Sequence, residues 1–240
     1  MPASHQSSSG NLHLLFVRHG ETQDNIDRIL QGHRDTDLTE KGHREAQILA
    51  DSLRGQHIDT VYYSPLSRIA QTIEPILAGR PGVSTHIDAD LKGQFLGELE
   101  GRSYDTIDMS SPRSADGQPG VELFNDFVRR LQRSFARIIG VEAPQVGQQD
   151  RTVMIASHGV SITSLFKSLE CTPSCEDFNP KLATRGPDAF EVRWTDSDDV
   201  ARLVVSEPAN LPIKDGLLDW SGISGQPFLI ERWGKKEKAI

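Results

Sequence analysis

The chain has 240 residues and a mass of 26.6 kDa, enough for one α/β domain with short tails and a sizeable core. Its 34 acidic and 26 basic residues give a net charge of −8, which argues against a general nucleic-acid-binding protein because such proteins carry a basic stripe. An anionic substrate must therefore be held by a local cluster of arginines, against the overall negative field.

The tails and the cysteines suggest no export or membrane insertion. The longest clean apolar run near the N-terminus, Leu14 to Val17, is far too short for a signal peptide or a membrane span. Residues 1–10 are rich in serine and predict a loose tail, and residues 234–240 predict a polar one. Cys171 and Cys175 form neither a disulfide framework nor a zinc site, so we expect inert thiols in a reducing cytoplasm, with a local disulfide as the alternative.

Residues 11–233 are predicted to form one domain in which strands and helices alternate. In chain order we predict a strand at 12–17, a helix at 39–53, a strand at 58–63, a helix at 66–77, a strand at 83–87, a helix at 121–139, a strand at 152–156 and a helix at 160–169. Residues 190–195 and 200–206 read as a hairpin. The pattern predicts a three-layer α/β/α sandwich whose central sheet is mostly parallel, with an antiparallel margin.

Residues 90–120 carry no clear period and are rich in glycine, serine, proline and aspartate. Loops of this length are usually functional or disordered. We expect this segment to cap a pocket, with Tyr104, Met109 and Arg113 as candidate substrate contacts, although a mobile surface loop would show the same composition.

Two predicted strands end in the same way. Arg18-His19-Gly20 follows the first strand, and Ser157-His158-Gly159 follows a later one. Because ligands bind outside the carboxyl ends of strands in an open parallel sheet, we expect His19 and His158 to meet at one crevice. The glycine beside each histidine lets the backbone approach a ligand closely, and a helix N-terminus after the turn suits an anion.

Metal binding is the competing use of paired histidines. Neither His19 nor His158 has another histidine or a carboxylate at a familiar ligand spacing, and the neighbour of His19 is Arg18. A cation beside the ligand disfavours a metal and favours a phosphate. We therefore predict a phosphate site without a metal or another cofactor.

These residues resemble the histidine phosphatase superfamily, the group that includes phosphoglycerate mutase. The resemblance extends from about Leu12 to Leu169. It rests on five stretches in the family's order: residues 18–25 (Arg-His-Gly-Glu-Thr-Gln-Asp-Asn), residues 31–42, residues 63–72 with the Ser-x-Leu-x-Arg pattern, residues 120–122 (Gly-Val-Glu) and residues 157–159 (Ser-His-Gly).

The resemblance implies that His19 is a nucleophile that takes up a phosphoryl group. Arg18, Arg68 and His158 would surround the phosphoryl oxygens, where preorganised cations stabilise the spreading charge of the transition state. Arginine offers a planar fork that matches phosphate better than lysine does. The substrate-binding positions implied in addition are Thr22, Asn25, Gln31, Gly32 and Gly159.

The sequence departs from the family at one position. The family's Leu-x-Glu-x-x-x-Gly-x-x-Glu-Gly stretch carries a glutamate that protonates the leaving oxygen, and here that position is Gly93. Three explanations stay open. Glu98, Glu100 or Asp90 has taken over the acid role, or the leaving group needs little protonation, or the protein is a weak or inactive member that binds phosphate.

The expected function is a metal-independent phosphatase that hydrolyses a small phosphorylated metabolite through a phosphohistidine. We expect no nucleic-acid or membrane partner, and a homodimer is possible. The alternatives are a phosphoglycerate mutase and a non-catalytic phosphate-binding protein. Residues 22–28 resemble the fructose-2,6-bisphosphatase-like and broad-specificity phosphatase branches, because they lack the Trp-Asn pair of mutases. A cysteine phosphatase is excluded, since Asp177 and Lys181 stand where an arginine would follow each cysteine by six positions.

Overall fold

The computed structural model describes residues 10–107, 113–170, 200–205, 213–214, 217–218 and 228–233. The strands in these ranges are β1 (Leu12–Arg18), β2 (Thr60–Tyr63), β3 (Ser84–Ile87), β4 (Arg151–Ser157), β5 (Val200–Val205), β6 (Ile213–Lys214), β7 (Leu217–Leu218) and β8 (Phe228–Trp233). The α-helices are α1 (Gln23–Ile26), α2 (Glu40–Ser52), α3 (Ser67–Ala78), α4 (Phe124–Glu142) and α5 (Gly159–Glu170). Short 3-10 turns occupy Ala89–Leu91, Gly97–Leu99, Tyr104–Thr106 and Ala143–Gln145.

Four parallel strands form the centre of the sheet, whose strand order is β3-β2-β4-β1-β5-β8. β1 and β4 lie side by side in a register that places Arg18 opposite Ser157. The residues that follow, His19 and His158, therefore leave the sheet at the same edge. β5 joins β1 antiparallel, and β8 joins β5 antiparallel.

Apolar layers cover both faces of the parallel strands. Leu14 and Phe16 of β1 belong to one buried cluster, while Leu15 and Val17 belong to another, because side chains alternate along a strand. Side chains of α4 and α5 complete the first cluster, and side chains of α2 and α3 complete the second. The predicted three-layer arrangement around a mainly parallel sheet is confirmed.

Local capping explains where two helices begin. The Thr39 hydroxyl accepts a hydrogen bond from the Gly42 N–H at 3.0 Å, which makes Thr39 the cap of α2 rather than its first residue. α4 begins at Phe124, three residues after the predicted start, where the Asp116 carboxylate accepts the Phe124 N–H at 2.8 Å. α4 also ends at Glu142, three residues after the predicted end, and the other predicted bounds within the described ranges agree with the structure to within two residues.

The segment predicted to be a cap is packed against the rest of the molecule where the structure describes it. Leu96, Leu99 and Ala115 form a small buried cluster with Leu30. The backbone of Leu30 exchanges hydrogen bonds with Gly101 and Arg102, both at 2.8–2.9 Å. These contacts hold the loop that follows α1 against the predicted cap.

Several expectations concern residues outside the described ranges. These include the first hairpin strand at 190–195, Met109, both cysteines and residues 1–9 and 234–240. The hairpin, the domain boundaries and the state of the cysteines stay predictions. Within the described ranges, no helix is both long and apolar enough to cross a membrane.

Candidate active site

His19 stands one residue beyond β1 and is 5% exposed. Its Nδ1 lies 2.8 Å from the carbonyl oxygen of Gly20. A carbonyl oxygen only accepts, so Nδ1 carries the ring proton and Nε2 keeps its lone pair. Burial, and after it the charges of Arg18 and Arg68, lower the pKa of His19 to about 3. The imidazole is therefore neutral at pH 7 and has one nitrogen ready to attack.

Arg68 brings a buried positive charge to the same place from the first turn of α3. Its side chain is 2% exposed, and it donates to the carbonyl oxygens of Arg34 at 2.7 Å and Gly32 at 3.0 Å. Nε of Arg68 is buried and has no hydrogen-bond partner in the described part of the chain. Burial lowers the pKa of Arg68 to about 10. An unmade hydrogen bond on a buried cation leaves a donor for an anion.

The acidic side chains nearest to Arg68 are engaged elsewhere. Asp24 pairs with Arg34 at 3.3 Å, and the Asp35 carboxylate accepts from the backbone and the hydroxyl of Ser67. The guanidinium group is thus held in place by backbone carbonyls and not by a carboxylate, which would compete with a bound anion.

His158 follows β4, and its ring centroid lies 5.4 Å from that of His19. Arg68 Nη2 lies 3.3 Å from its Nδ1, which must accept because a guanidinium only donates. The remaining proton is then on Nε2, which donates to the Ser64 hydroxyl at 3.0 Å. Burial, followed by the charge of Arg68, lowers the pKa of His158 well below its usual value. This ring is neutral too.

Arg18, the last residue of β1, completes the positive cluster and is half-buried. Burial lowers its pKa, and the charge of Glu45 and the nearby Tyr104 phenol oppose that effect. Burial raises the pKa of Tyr104, and Arg18 opposes it. Tyr104, one of the predicted substrate contacts, therefore lies near Arg18. Arg113, another, donates to Asn125 of α4 at 2.9 Å.

Gly20 and Gly42 explain how the loop after β1 is held. A Cβ on Gly20 would lie 2.7 Å from the Gly42 carbonyl oxygen, and one on Gly42 would lie 2.2 Å from the Glu21 carbonyl oxygen. The N–H of Gly20 also donates to the Thr72 hydroxyl at 3.0 Å. Two glycines thus let α2 approach the backbone next to His19.

Thr22 and Asn25 form a closed pair around the start of α1. Asn25 Oδ1 accepts from the backbone N–H of Thr22 at 3.1 Å and from its hydroxyl at 3.0 Å, and the Thr22 hydroxyl accepts from the Asn25 N–H. The hydroxyl of the fully buried Thr22 is used in this capping box, where it supports Asn25, and a contact of Thr22 with the substrate stays a prediction. The box leaves the amide NH₂ of Asn25 as a donor.

Gln31 and Gly32 lie on the loop that follows α1. The side-chain oxygen of Gln31 accepts from the Thr36 hydroxyl at 3.1 Å. Gly32 has a φ of +53°, which favours glycine, and its carbonyl oxygen accepts from Arg68. A Cβ at Gly32 would lie 2.2 Å from the Glu100 carboxylate. The loop therefore positions Arg68 through its own backbone.

Gly159 is the first residue of α5, directly after His158. The His158 carbonyl oxygen accepts from Ile162 at 3.0 Å, as the first bond of that helix. α5 therefore begins at the edge of the sheet where β4 ends, and its first turn points its N–H groups toward that edge.

The comparisons with known proteins identify the family of this chain. The family model of branch 1 of the histidine phosphatase superfamily matches residues 14–192. The chain belongs to this superfamily. A broad-specificity phosphatase of Saccharomyces cerevisiae is 28% identical over 66% of this chain and 70% of its own length. The 2,3-bisphosphoglycerate-dependent phosphoglycerate mutase of Brucella melitensis biotype 2 is 34% identical over 65% of this chain and 81% of its own.

Solved structures of the superfamily show the same fold. The α-ribazole phosphatase of Shigella flexneri superposes with a TM-score of 0.60 at 25% identity, and covers 86% of this chain and 93% of its own. A mycobacterial glucosyl-3-phosphoglycerate phosphatase superposes with a TM-score of 0.67 at 21% identity, over 93% and 98%.

Gly93 stands where the resemblance to the superfamily leads us to expect a glutamate. A Cβ built on Gly93 would lie 3.6 Å from the Gly32 carbonyl oxygen and 3.8 Å from Cγ of His158, which are ordinary contact distances. A side chain at this position would therefore begin in contact with the His158 ring and the Gly32 backbone, without a clash at its first atom.

None of the three acidic residues considered as substitutes is placed like that side chain. Glu98 is exposed, whereas Glu100 uses one oxygen to accept from His33 N–H at 2.7 Å and Leu96 N–H at 3.1 Å. Asp90 pairs with Arg137 of α4 at 3.3 Å. Glu100 therefore joins the loop that holds His33 to the loop that holds Leu96. The contacts of Glu98, Glu100 and Asp90 do not support the expectation that one of them donates a proton to the leaving oxygen.

Two residues of the candidate site were not predicted from the sequence. Ser64 accepts from His158, and His33 lies against Gly93, with its Nε2 2.8 Å from the Gly93 carbonyl oxygen. Both residues belong to the family-like stretches, which was the available signal. Among the described residues, no three histidine, cysteine, aspartate or glutamate side chains group so that they could hold a metal ion.

Proposed function

We propose that this protein is a metal-independent phosphatase that transfers the phosphoryl group of a small phosphomonoester to Nε2 of His19 and then to water. The observation that carries the proposal is the state of His19: a buried neutral imidazole with its proton fixed on Nδ1, next to two arginines. A neutral nitrogen nucleophile beside two positively charged arginines suits attack on a phosphate dianion.

The bonds that form and break in the proposed reaction can be assigned to these groups. The Nε2 lone pair forms the N–P bond while the P–O bond to the leaving group breaks, and the electron pair of that bond stays on the leaving oxygen. Arg18 and Arg68 stabilise the charge on the three remaining oxygens, and the free Nε–H of Arg68 is one such donor. Water then attacks phosphorus and frees His19.

His158 and Asn25 support the same oxygens in this proposal. His158 lies 5.4 Å from His19, and a bound dianion raises its affinity for a proton. The capping box uses Oδ1 of Asn25 and so leaves its NH₂ as a donor. Gln31, Gly32 and Gly159 shape the rest of the pocket, with Thr22 behind Asn25.

Gly93 favours a second candidate, a phosphate-binding protein without turnover. General acid catalysis contributes about 10²–10⁴-fold, so its loss alone would make hydrolysis of alkyl phosphates slow. The mutase relative at 34% identity adds a third outcome, in which the phosphoryl group passes to a second organic molecule. A cytoplasmic location and a homodimer stay predictions.

The test is hydrolysis of p-nitrophenyl phosphate by the purified protein in chelator, because this leaving group departs as an anion and needs no acid. We expect turnover in the native protein and none above background in His19→Ala. The matched control is His43→Ala, which removes an exposed histidine of α2 and should keep full activity. Brief incubation with radiolabelled ester should trap an acid-labile, base-stable phosphoprotein only when His19 is present.

Other outcomes decide between the candidates. Turnover that survives His19→Ala would refute His19 as the nucleophile. Vanadate binding without turnover of any ester would favour the phosphate-binding protein. Transfer of the label to added phosphoglycerate instead of water would favour the mutase.

A further inference from the structure

The ring of His33 is tied to the position where the acid is missing. His33 Nε2 lies 2.8 Å from the Gly93 carbonyl oxygen, and the half-buried ring packs on Phe95 with 5.1 Å between centroids. The carbonyl only accepts, so Nε2 carries a proton and Nδ1 is the second titrating nitrogen. Among the described residues, Nδ1 has no hydrogen-bond partner.

The backbone next to His33 already forms part of the site. The preceding residue, Gly32, accepts a hydrogen bond from Arg68, and its carbonyl oxygen would be 3.6 Å from a Cβ on Gly93. That same Cβ would lie 3.8 Å from the ring of His158. The charge of His33 also acts on His158. Gly93, to which the His33 ring is hydrogen-bonded, thus adjoins both Gly32 and His158.

We propose that His33 replaces the missing glutamate as the proton donor to the leaving oxygen. This inference rests on the proposed function of the same site. In the first step, Nδ1–H of protonated His33 gives its proton to the leaving oxygen as the P–O bond breaks and the His19 N–P bond forms. In the second step, neutral His33 takes a proton from the attacking water, and the cycle closes without any other reactant.

The charged groups around His33 influence the pH at which its ring takes up a proton. Positive charge near the ring is carried by Lys92 and Arg130 and is gained by His158 on protonation, and negative charge is carried by Glu100 and Glu122. Burial is the largest effect and lowers the pKa of His33, although its hydrogen bond to Gly93 opposes this. The donor form therefore increases as the pH falls below about 6.5, the ordinary value for histidine.

The experiment compares an alkyl ester, 3-phosphoglycerate, with p-nitrophenyl phosphate in native protein, His33→Gln and a control. Glutamine can still donate to the Gly93 carbonyl oxygen but cannot transfer a proton. We expect His33→Gln to lower kcat for the alkyl ester by about 10²–10⁴-fold, and kcat for the aryl ester by less than about tenfold. The acid-side rise in alkyl-ester turnover should vanish as well.

The matched control is His57→Gln. His57 is exposed beside the N-terminal end of β2, at the opposite edge of the sheet from the site, and contacts Asp59. It should leave the alkyl-to-aryl ratio at the native value. A second variant, Gly93→Glu in the His33→Gln background, places a carboxyl group beside His158, where its Cβ would meet no clash, and should restore alkyl-ester turnover.

Each outcome is decisive. An unchanged alkyl-to-aryl ratio in His33→Gln, an equal loss for both esters, or native protein that turns over only the aryl ester would overturn the role of His33 and leave the proposed function standing. Absence of His19-dependent turnover on the aryl ester would overturn both. Failure of Gly93→Glu to rescue, with its fold intact by circular dichroism, would also count against His33 as the donor.

Discussion

Replacing Arg68 by methionine separates anion binding from folding. The substitution keeps a long side chain in the buried site but removes the charge and the donors to Arg34, Gly32 and His158. It also removes the Nε–H that has no partner in the described part of the chain. We expect the variant to fold and to lose its response to phosphate-like ligands.

The magnitudes come from two opposing effects on the free energy of unfolding. Burial lowers the pKa of Arg68 to about 10, and a shift of this size corresponds to about 3 kcal/mol that the charged group costs the unliganded protein. Loss of three charge-assisted hydrogen bonds, to Arg34, Gly32 and His158, costs about 1.5–3 kcal/mol each. Removal of the buried charge offsets about 3 kcal/mol of this loss, so we expect the free energy of unfolding to fall by about 1.5–6 kcal/mol.

The response to ligand is expected to change much more. Orthovanadate at about 100 times its Kd should stabilise the native protein by about 2.7 kcal/mol. If Arg68 contributes about 2.7 kcal/mol to vanadate binding, the Kd of the variant is about 100 times that of the native protein. The same vanadate concentration then only equals the Kd of the variant, and vanadate stabilises the variant by about 0.4 kcal/mol. Urea unfolding with and without vanadate measures both numbers.

Arg80→Met is the matched control. Arg80 also donates to backbone carbonyls, those of Leu53, Gln56 and Ile76, but at the far ends of α2 and α3. The control should lose stability and keep the full response to vanadate. Our reasoning would be refuted if Arg68→Met retained that response, or if both variants lost it equally.

Three further predictions concern the backbone, the capping box and pH. Gly42→Ala should lower the free energy of unfolding by at least about 1–3 kcal/mol in urea titrations, because its Cβ would lie 2.2 Å from the Glu21 carbonyl oxygen. The control Gly55→Ala should not lower it, because a Cβ on Gly55 would have no atom within 4 Å. Thr22→Val should cost about 1 kcal/mol and raise the Kd for vanadate measured by calorimetry. The pKa of His19 is about 3 in the folded protein and about 6.5 in the unfolded chain, so the free energy of unfolding should fall as the pH drops from about 6.5 toward 3. His19→Asn should reduce this loss of stability in urea titrations at pH 7, 6 and 5. The same loss in the variant and the native protein would contradict a neutral buried His19.

The sequence by itself determined the layers of the fold and the meeting of the two histidines. Apolar runs and amphipathic periods marked β1, β4, α2 and α4 because burial on a sheet face imposes those patterns. The parallel register then places His19 and His158 at one edge, as strand ends alone predict. The motif around Arg68 predicted an arginine in the site. In the structure the Arg68 side chain is buried and donates to two backbone carbonyl oxygens, which agrees with that interpretation.

Only the tertiary structure decided which groups are free to react. Hydrogen bonds between residues far apart in the chain fix the proton of His158, occupy one oxygen of Glu100 and place His33 against Gly93. None of these pairings leaves a local pattern, because each depends on how two loops approach in space. The same holds for the pKa of His19, which burial sets more than its neighbours in sequence do.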